Sequence, residues 1–347
     1  MVKSAFISGC NGQDGSYLSE LLLEKNYKVY GLIRRSSVDT TERISHILNH
    51  PKFELIEGDI TDATCMHRLI SGIKPDEVYN LAAMSHVGVS FDQPITTCHI
   101  DAIGPLNMLE AIRQSSPKSK FYQASSSELF GDTKISPQNE TTPFNPVSPY
   151  AIAKLYAHHL VGLYRRAYGI FACAGILHNH ESERRGETFV TRKITKYVAM
   201  IQNWIDIHGK QPRMERINTT QVFSLTEVSP LFLGNIEAKR DWSHAKDMVY
   251  GMWLMMQYSQ PDDYVLGSGE THTVKEFLQI AFGSIGLDYR DYITIDPKFY
   301  RPLDVNLLHA DTSKAKKVLG WEPTICFGEL IDMMVQSDYK ALIECPV

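Results

Sequence analysis

Several features that mark special environments are missing from this chain. It has no Cys-x-x-Cys pair, and its six cysteines (Cys10, Cys65, Cys98, Cys173, Cys326 and Cys345) are scattered over 347 residues. Scatter of that kind argues against a zinc ribbon or a disulfide framework and fits a reducing compartment. No apolar run approaches the roughly 18 residues of a membrane-spanning helix. The N-terminus enters a strand-like segment without the long apolar region of a signal peptide, so a cytoplasmic protein is expected, with no membrane partner. Positive charge is also scarce: 35 basic side chains against 40 acidic ones give a formal net charge of −5. Nothing suggests a nucleic-acid surface, and any anion site must be built locally. Repeats and low-complexity tracts are absent. What remains is ordinary, 43% hydrophobic and 22% charged, enough to bury a full core in one large domain or two unequal ones.

The first half alternates short apolar strands with helical periodicity. Ser4–Gly9 reads as a strand, Gly9, Gly12 and Gly15 as a glycine turn, and Ser16–Lys25 as a helix with Leu18, Leu21 and Leu22 on one face. Strand, glycine turn and helix in that order make a phosphate cradle, because glycines admit a pyrophosphate to the backbone and the helix N-terminus offers free N–H groups. The second strand, Tyr27–Ile33, ends in Arg34, Arg35, Ser36 and Ser37. An NAD site wants an acidic residue there; two arginines and two serines suit a 2′-phosphate, which favours NADP. Strands at Phe53–Gly58, Glu77–Ala82 and Lys120–Ser125 follow, with helices over about 62–73 and 95–114. This alternation predicts an α/β fold with a doubly wound parallel sheet, ligands lying at the carboxyl ends of its strands.

Just past the fifth strand stand Ser126 and Glu128, followed by Tyr150 and Lys154. Tyrosine four residues before lysine puts both on one helix face. An ammonium beside a phenol favours the phenolate, so Tyr150 is expected to take a hydroxyl proton near neutral pH.

With those pieces in place the chain resembles the extended short-chain dehydrogenase/reductase family, in its nucleotide-sugar branch. The resemblance rests on Gly12-Gln-Asp-Gly-Ser16, Arg34–Ser37, Phe121–Ser125, Ser127-Glu128, Ser148-Pro-Tyr150 with Lys154, Asn179–Ser182, Arg184–Gly186, Phe189–Lys193, Ala238–Trp242 and Tyr300-Arg-Pro302. It implies a Rossmann-type domain over about 1–180, carrying cofactor and catalytic residues, and a smaller mixed α/β domain over about 181–347 that mainly binds a GDP-sugar, with the chain free to cross between them. It further implies a lyase that dehydrates the sugar across C4–C6 through an internal NADP redox cycle. Tyr150 takes the 4-hydroxyl proton, Lys154 lowers the tyrosine pKa and holds the nicotinamide ribose, Glu128 is the acid/base at C5, and Ser126 stands where the family usually has threonine. Cofactor contacts are expected from Gly9, Gly12, Gln13, Asp14, Gly15, Arg34, Arg35, Ser36, Ser37, Asp59, Ile60, Leu81, Ala82, Ala83, Ser85, Tyr150, Lys154, His180 and Arg185. Substrate contacts are expected from Ser85, Asn179, Lys193, Arg240, Arg301 and Asp304. The loop after the sixth strand, Phe171–Leu177, resembles one that reaches a neighbouring subunit's cofactor, which implies a homo-oligomer, a dimer or tetramer.

His178-x-His180 lacks a third ligand and adjoins an arginine pair, so no metal is expected. A helix from Phe189 to about Ile207 carries Arg192 and Lys193, which join Arg240 and Arg301 as four dispersed cations on an acidic chain. Met84, Thr96, His178 and Glu183 depart from the family pattern around the sugar. Segment 203–229 reads as an insertion of roughly twenty residues. The resemblance makes GDP-mannose the leading substrate; Met84, His178 and segment 203–229 motivate the alternative, GDP-N-acetylglucosamine or a GDP-heptose. A plain epimerase or ketoreductase, which has no need of Glu128, and a non-catalytic NADP sensor are the more distant readings.

Overall fold

A computed structural model describes residues 2–212 and 228–344. Six strands, β1 (Ser4–Ser8), β2 (Lys28–Ile33), β3 (Phe53–Glu57), β4 (Glu77–Asn80), β5 (Lys120–Ser126) and β6 (Ala172–Leu177), join Asp263–Leu266 in one sheet. Its order is Asp263–Leu266, β6, β5, β4, β1, β2, β3, and every pairing is parallel. Continuous apolar strands such as Ala5-Phe6-Ile7 tolerate this because helices cover both faces. Helix α1 (Gln13–Glu24) and helix Ala245–Gln257 cover one face through Leu18, Leu22, Met248, Met252 and Met255. On the other face α2 (Ala63–Ile73), helix Gly104–Ser115 and helix Pro149–Tyr168 contribute Met66, Ile70, Met108, Ile112 and Val161. The expected doubly wound architecture is present, with element ends shifted by up to three residues, the largest shift at the start of α1.

The helix expected over 95–114 is interrupted. Pro94–Cys98 and Gly104–Ser115 flank a π-turn at His99–Ile103. Pro105 has no N–H for the carbonyl one turn earlier, and the wider turn absorbs that loss. A short helix, Val87–Asp92, precedes it, capped by His86 Nδ1 accepting from Val89 N–H at 3.2 Å.

A second core gathers Ile194, Val198 and Ile201 of helix Val190–His208, Phe277 and Leu278 of helix Val274–Gly283, and Leu330, Ile331 and Met334 of helix Phe327–Glu344 around Trp242. Helix Val190–His208 matches the one expected from Phe189 to about Ile207, so residues 203–208, also the start of the expected insertion, are helical up to Gly209 with φ 66°. The rest of that expected insertion, 213–227, lies outside the described residues. Trp321 is buried, its indole N–H donating to Asp247 O at 2.8 Å.

Candidate active site

One continuous cavity of about 1090 Å³ opens where β1, β4, β5 and β6 end, between the sheet edge and the second core. A parallel sheet places ligands at this edge because its strands turn into helix N-termini there. The cavity is lined by all the expected catalytic and substrate residues, and by all the expected cofactor residues except Arg35 and Ser37. Arg35 turns outward toward Glu57 at 3.7 Å and lines a neighbouring depression with Arg34 and Arg68. Ser37 lies beyond both.

The glycine turn is shaped by close approach. Gly9 has φ 69°, which disfavours any side chain, and a Cβ on Gly15 would stand 2.2 Å from Gly9 O. A Cβ on Gly12 would meet only Gly9 O, at 3.2 Å, so the backbone at the start of α1 faces the cavity. Helix α1 begins at Gly12 with no side-chain cap, leaving first-turn N–H groups for an anion. The turn is tied to the far side of the site by Asp14, whose Oδ2 lies 2.8 Å from His180 Nε2. His180 Nδ1 faces His178 O at 2.8 Å, so both ring nitrogens face acceptors. Burial would lower the His180 pKa, but Asp14 outweighs it and raises it; burial would raise Asp14, and His180 lowers it. Gln13 accepts at Oε1 from Ser182 Oγ at 2.8 Å, and Arg184 reaches Ser16 Oγ at 3.0 Å. The loop expected to reach a neighbouring subunit thus crosses its own first helix.

Beneath the cavity floor a buried hydrogen-bond chain follows the sheet register. Ser8 pairs with Asn80 and Asn80 with Gln123 in the ladder. Ser8 Oγ donates to Asn80 Oδ1 at 2.6 Å, Asn80 Nδ2 to Gln123 Oε1 at 2.8 Å, and Gln123 Nε2 to Ala124 O at 2.9 Å. Ala124 O also accepts from Lys154 Nζ at 3.1 Å. The other end of the chain accepts at Ser8 Oγ from the N–H groups of Leu81 and Ala82, both cavity residues.

Tyr150 and Lys154 project from helix Pro149–Tyr168, which starts sharply because Ser148 Oγ accepts from Ala151 N–H at 3.1 Å and Pro149 fits the first turn. They share a face, as expected, but Lys154 Nζ lies 5.8 Å from the Tyr150 ring centre and is held by Ala124 O. Lys154 is not among the groups that dominate the Tyr150 pKa in the free protein. Burial raises the Tyr150 pKa well above that of a free phenol, Asp101 and Glu128 add to the rise, and a hydrogen bond with Ser126 opposes it. Ser126 Oγ also accepts from Glu128 N–H at 3.2 Å, which caps the turn Ser127–Leu129 and sets Glu128 into the cavity. Glu128 Oε1 is 3.6 Å from Arg301, and Oε2 is buried with no partner among the described residues.

At the far end, Asn179 lies in a short strand paired with Trp242, near Lys193, Arg240 and Arg301. Asp304 Oδ1 stands 3.3 Å from Arg240 and 3.5 Å from Arg301, spacing two cations along the wall. Arg185 stacks on Phe189 at 3.7 Å. Arg192, expected among the site cations, is a structural residue: its guanidinium pairs with Asp338 at 2.6 Å, away from the cavity. Adjacent helical residues point about 100° apart, so only Lys193 faces the site. Of the four departures, Met84 and His178 line the cavity; Thr96 is exposed on its helix, and Glu183 turns to His244 at 3.4 Å.

Three features escaped the sequence reading. Asp101 sits in the π-turn, fully buried; its Oδ1 accepts from Met84 N–H at 3.0 Å, and Oδ2 has no partner among the described residues. A lone carboxylate within an apolar helical stretch was the available signal. Phe232, Phe299 and Tyr300 form an exposed aromatic mouth, for which no local signal exists. Nor does any local signal foretell the Ser8–Asn80–Gln123 chain.

The sequence profile of the GDP-mannose 4,6 dehydratase family matches residues 6–334. The chain is 50% identical to GDP-mannose 4,6 dehydratase 2 of Arabidopsis thaliana, over 97% of this chain and 87% of that one. It is 44% identical to the human GDP-mannose 4,6 dehydratase, over 97% and 92%. Among solved structures, UDP-glucose 4-epimerase of Thermotoga maritima with UDP-glucose superposes with a TM-score of 0.82 at 25% identity, covering 98% of this chain and 99% of that one.

Proposed function

The chain belongs to the GDP-mannose 4,6-dehydratase family, and from that premise we propose how its residues convert GDP-mannose to the 4-keto-6-deoxy sugar nucleotide. The observation that carries the reading is Glu128, a buried carboxylate with one oxygen lacking a partner among the described residues, beside Tyr150 and Ser126 in one cavity. An epimerase or ketoreductase has no use for it.

The cofactor proposed is NADP. The glycine turn and the uncapped start of α1 fit a pyrophosphate, and Arg34 and Ser36 stand where a 2′-phosphate would lie, with Arg35 and Arg68 beside it. Asp59, Ile60 and Leu81–Ala83 wall the rest of that half, with His180 and Arg185 closing it. Bound there, the cofactor would supply a reversible hydride acceptor, taking hydride at C4 and giving it back at C6 with no net oxidation.

This chain's residues supply the proton steps. Tyr150 takes the proton of the C4 hydroxyl, with Ser126 orienting both; the unused donors of the Lys154 ammonium hold the ribose. With C4 a ketone, Glu128 removes the C5 proton and delivers a proton to the C6 hydroxyl, which leaves as water. The same carboxyl can serve both carbons because its Oε2 carries no other bond among the described residues. Asn179, Lys193, Arg240 and Arg301 are assigned to the nucleotide diphosphate, Ser85 to the sugar and Asp304 to the nucleotide ribose.

Functionally the chain then divides into a cofactor-binding part over about 1–180 and a GDP-sugar part over the remainder, with helix Ala245–Gln257 and strand Asp263–Leu266 returned to the first. A homo-oligomer belongs to the same proposal: Ile152, Tyr156 and Leu163 make an exposed apolar stripe along helix Pro149–Tyr168, with Ile95 also exposed. A reducing, cytoplasmic setting accords with the five described cysteines being free. The test is incubation with GDP-mannose in deuterated water, followed by NMR of the sugar. The reading expects a 4-keto-6-deoxy product carrying solvent deuterium; intact GDP-mannose, or an epimer in its place, overturns it.

A further inference from the structure

His178 is the first residue beyond β6. The last pair of the β5–β6 ladder is Ser126 with Leu177, so His178 stands beside the turn that carries Glu128. Its N–H donates to Leu266 O at 2.9 Å, which fixes the residue as an extension of the sheet rather than a mobile loop. It lines the cavity with 1% of its surface exposed, and neither Nδ1 nor Nε2 has a partner among the described residues.

The surroundings make those idle nitrogens costly. Phe130 lies against the ring at 6.3 Å, within an apolar cluster that includes Ile176, Val265, Val305 and Leu308. Burial pushes the imidazole pKa down to about 4, against Asp241 and with His309, so the ring is neutral and offers one donor and one acceptor. A leucine or phenylalanine would fill this wall with no unpaired polar group. Buried polar groups are kept unpaired in folded proteins where something else completes them. The π-turn carboxylate of Asp101 has a different reason, since it faces Tyr150 and Lys154 electrostatically.

The geometry points to His178 as a specificity-determining residue that hydrogen-bonds a hexose hydroxyl remote from the reacting edge, at C2 or C3. The assignment rests on the dehydratase reading: Tyr150, Ser126 and Glu128 serve C4 to C6, and the cations serve the diphosphate. Ser85 is the one other residue assigned to the sugar, so unreacting hydroxyls remain to be partnered, and His178 is a buried uncharged donor and acceptor beside the catalytic turn.

The test pairs a side-chain change with a substrate change. Wild type, His178→Phe and His178→Leu are compared on GDP-mannose, GDP-2-deoxymannose and GDP-3-deoxymannose, with GDP as the sugar-free control. Wild type should prefer GDP-mannose over one of the deoxy analogues by about 100-fold in kcat/KM, because the analogue leaves a buried polar group unpaired. In both variants that preference should collapse to within about threefold, with GDP affinity within about twofold of wild type and no fall in melting temperature. Variants that keep the wild-type preference, or that lose GDP affinity in step with GDP-mannose, overturn the assignment. Two hydrophobic variants guard against one misfolding. Calorimetry of the same ligands reads the hydroxyl contact without turnover, so a wild type that binds but does not dehydrate GDP-mannose overturns the dehydratase reading and still decides His178.

Discussion

The two walls of the cavity treat their polar groups in opposite ways. On the cofactor side, Ser8, Asn80, Gln123, Asp14 and His180 are bonded to one another before any ligand arrives. On the reaction side, Glu128 Oε2, Asp101 Oδ2 and both nitrogens of His178 are buried without a partner among the described residues. Satisfied networks rigidify, whereas unpaired buried groups cost stability until something completes them. On the proposed function, the first wall is a finished mould, and the second holds interactions in reserve for a substrate and its transition state, as differential binding requires.

That contrast breaks or sharpens under substitution. The largest effect is expected from Tyr150→Phe and Glu128→Gln, each lowering kcat by about 10³- to 10⁴-fold while leaving the melting temperature within a few degrees. A large stability loss with Glu128→Gln would mean the idle oxygen is structurally engaged, and the contrast would fail. Next comes Gln123→Leu, which strands Asn80 Nδ2 and frees Lys154's acceptor to move. Urea unfolding should show a loss of about 2–3 kcal/mol, the cost of a buried donor left unpaired. Unchanged stability there would remove the case for a prebuilt wall. Arg34→Ala should weaken NADP about tenfold or more relative to NAD, the value of one charge-assisted contact, in equilibrium binding.

The smallest effect concerns pH. Asp14 is depressed in the fold, so its stabilisation is present above the ordinary carboxylate range and is lost as pH falls through its folded value. His180 is raised, so its contribution is full below about 6.5 and disappears as pH climbs through its folded value. Melting temperature should therefore slope downward above pH 6.5, and His180→Gln should flatten that slope. An identical slope in the variant would detach the pair from stability.

What could be read from sequence was local. Gly9, Gly12 and Gly15 announce themselves because a turn and a helix start need them at that spacing, and Tyr150 with Lys154 follows from helical geometry alone. Residues whose role depends on register or packing phase were not legible. Ser8, Asn80 and Gln123 become neighbours only once three strands align. Arg192 and Lys193 share a helix, but its packing against Asp338 decides which of them faces the cavity. Asp101 turns inward through a π-turn that no propensity announces. The placing of Lys154 beside Tyr150 has a related limit: sequence spacing gives the lysine's position along a helix, not its claim by Ala124 O.

The seventh strand has a consequence for how the chain is made. Asp263–Leu266 pairs with β6 across an interval of 89 residues, through a segment that contributes helix Val190–His208 and Trp242 to the second core. At about 5–20 residues per second, a ribosome needs roughly 4–18 seconds to deliver it after β6 has emerged. For that time the edge of β6 offers unpaired backbone groups to any passing strand, and its run Ala-Cys-Ala-Gly-Ile-Leu carries no charge to discourage one. The newborn chain is therefore most exposed to aggregation between the synthesis of residues 177 and 266, an interval in which a chaperone would have the most to protect.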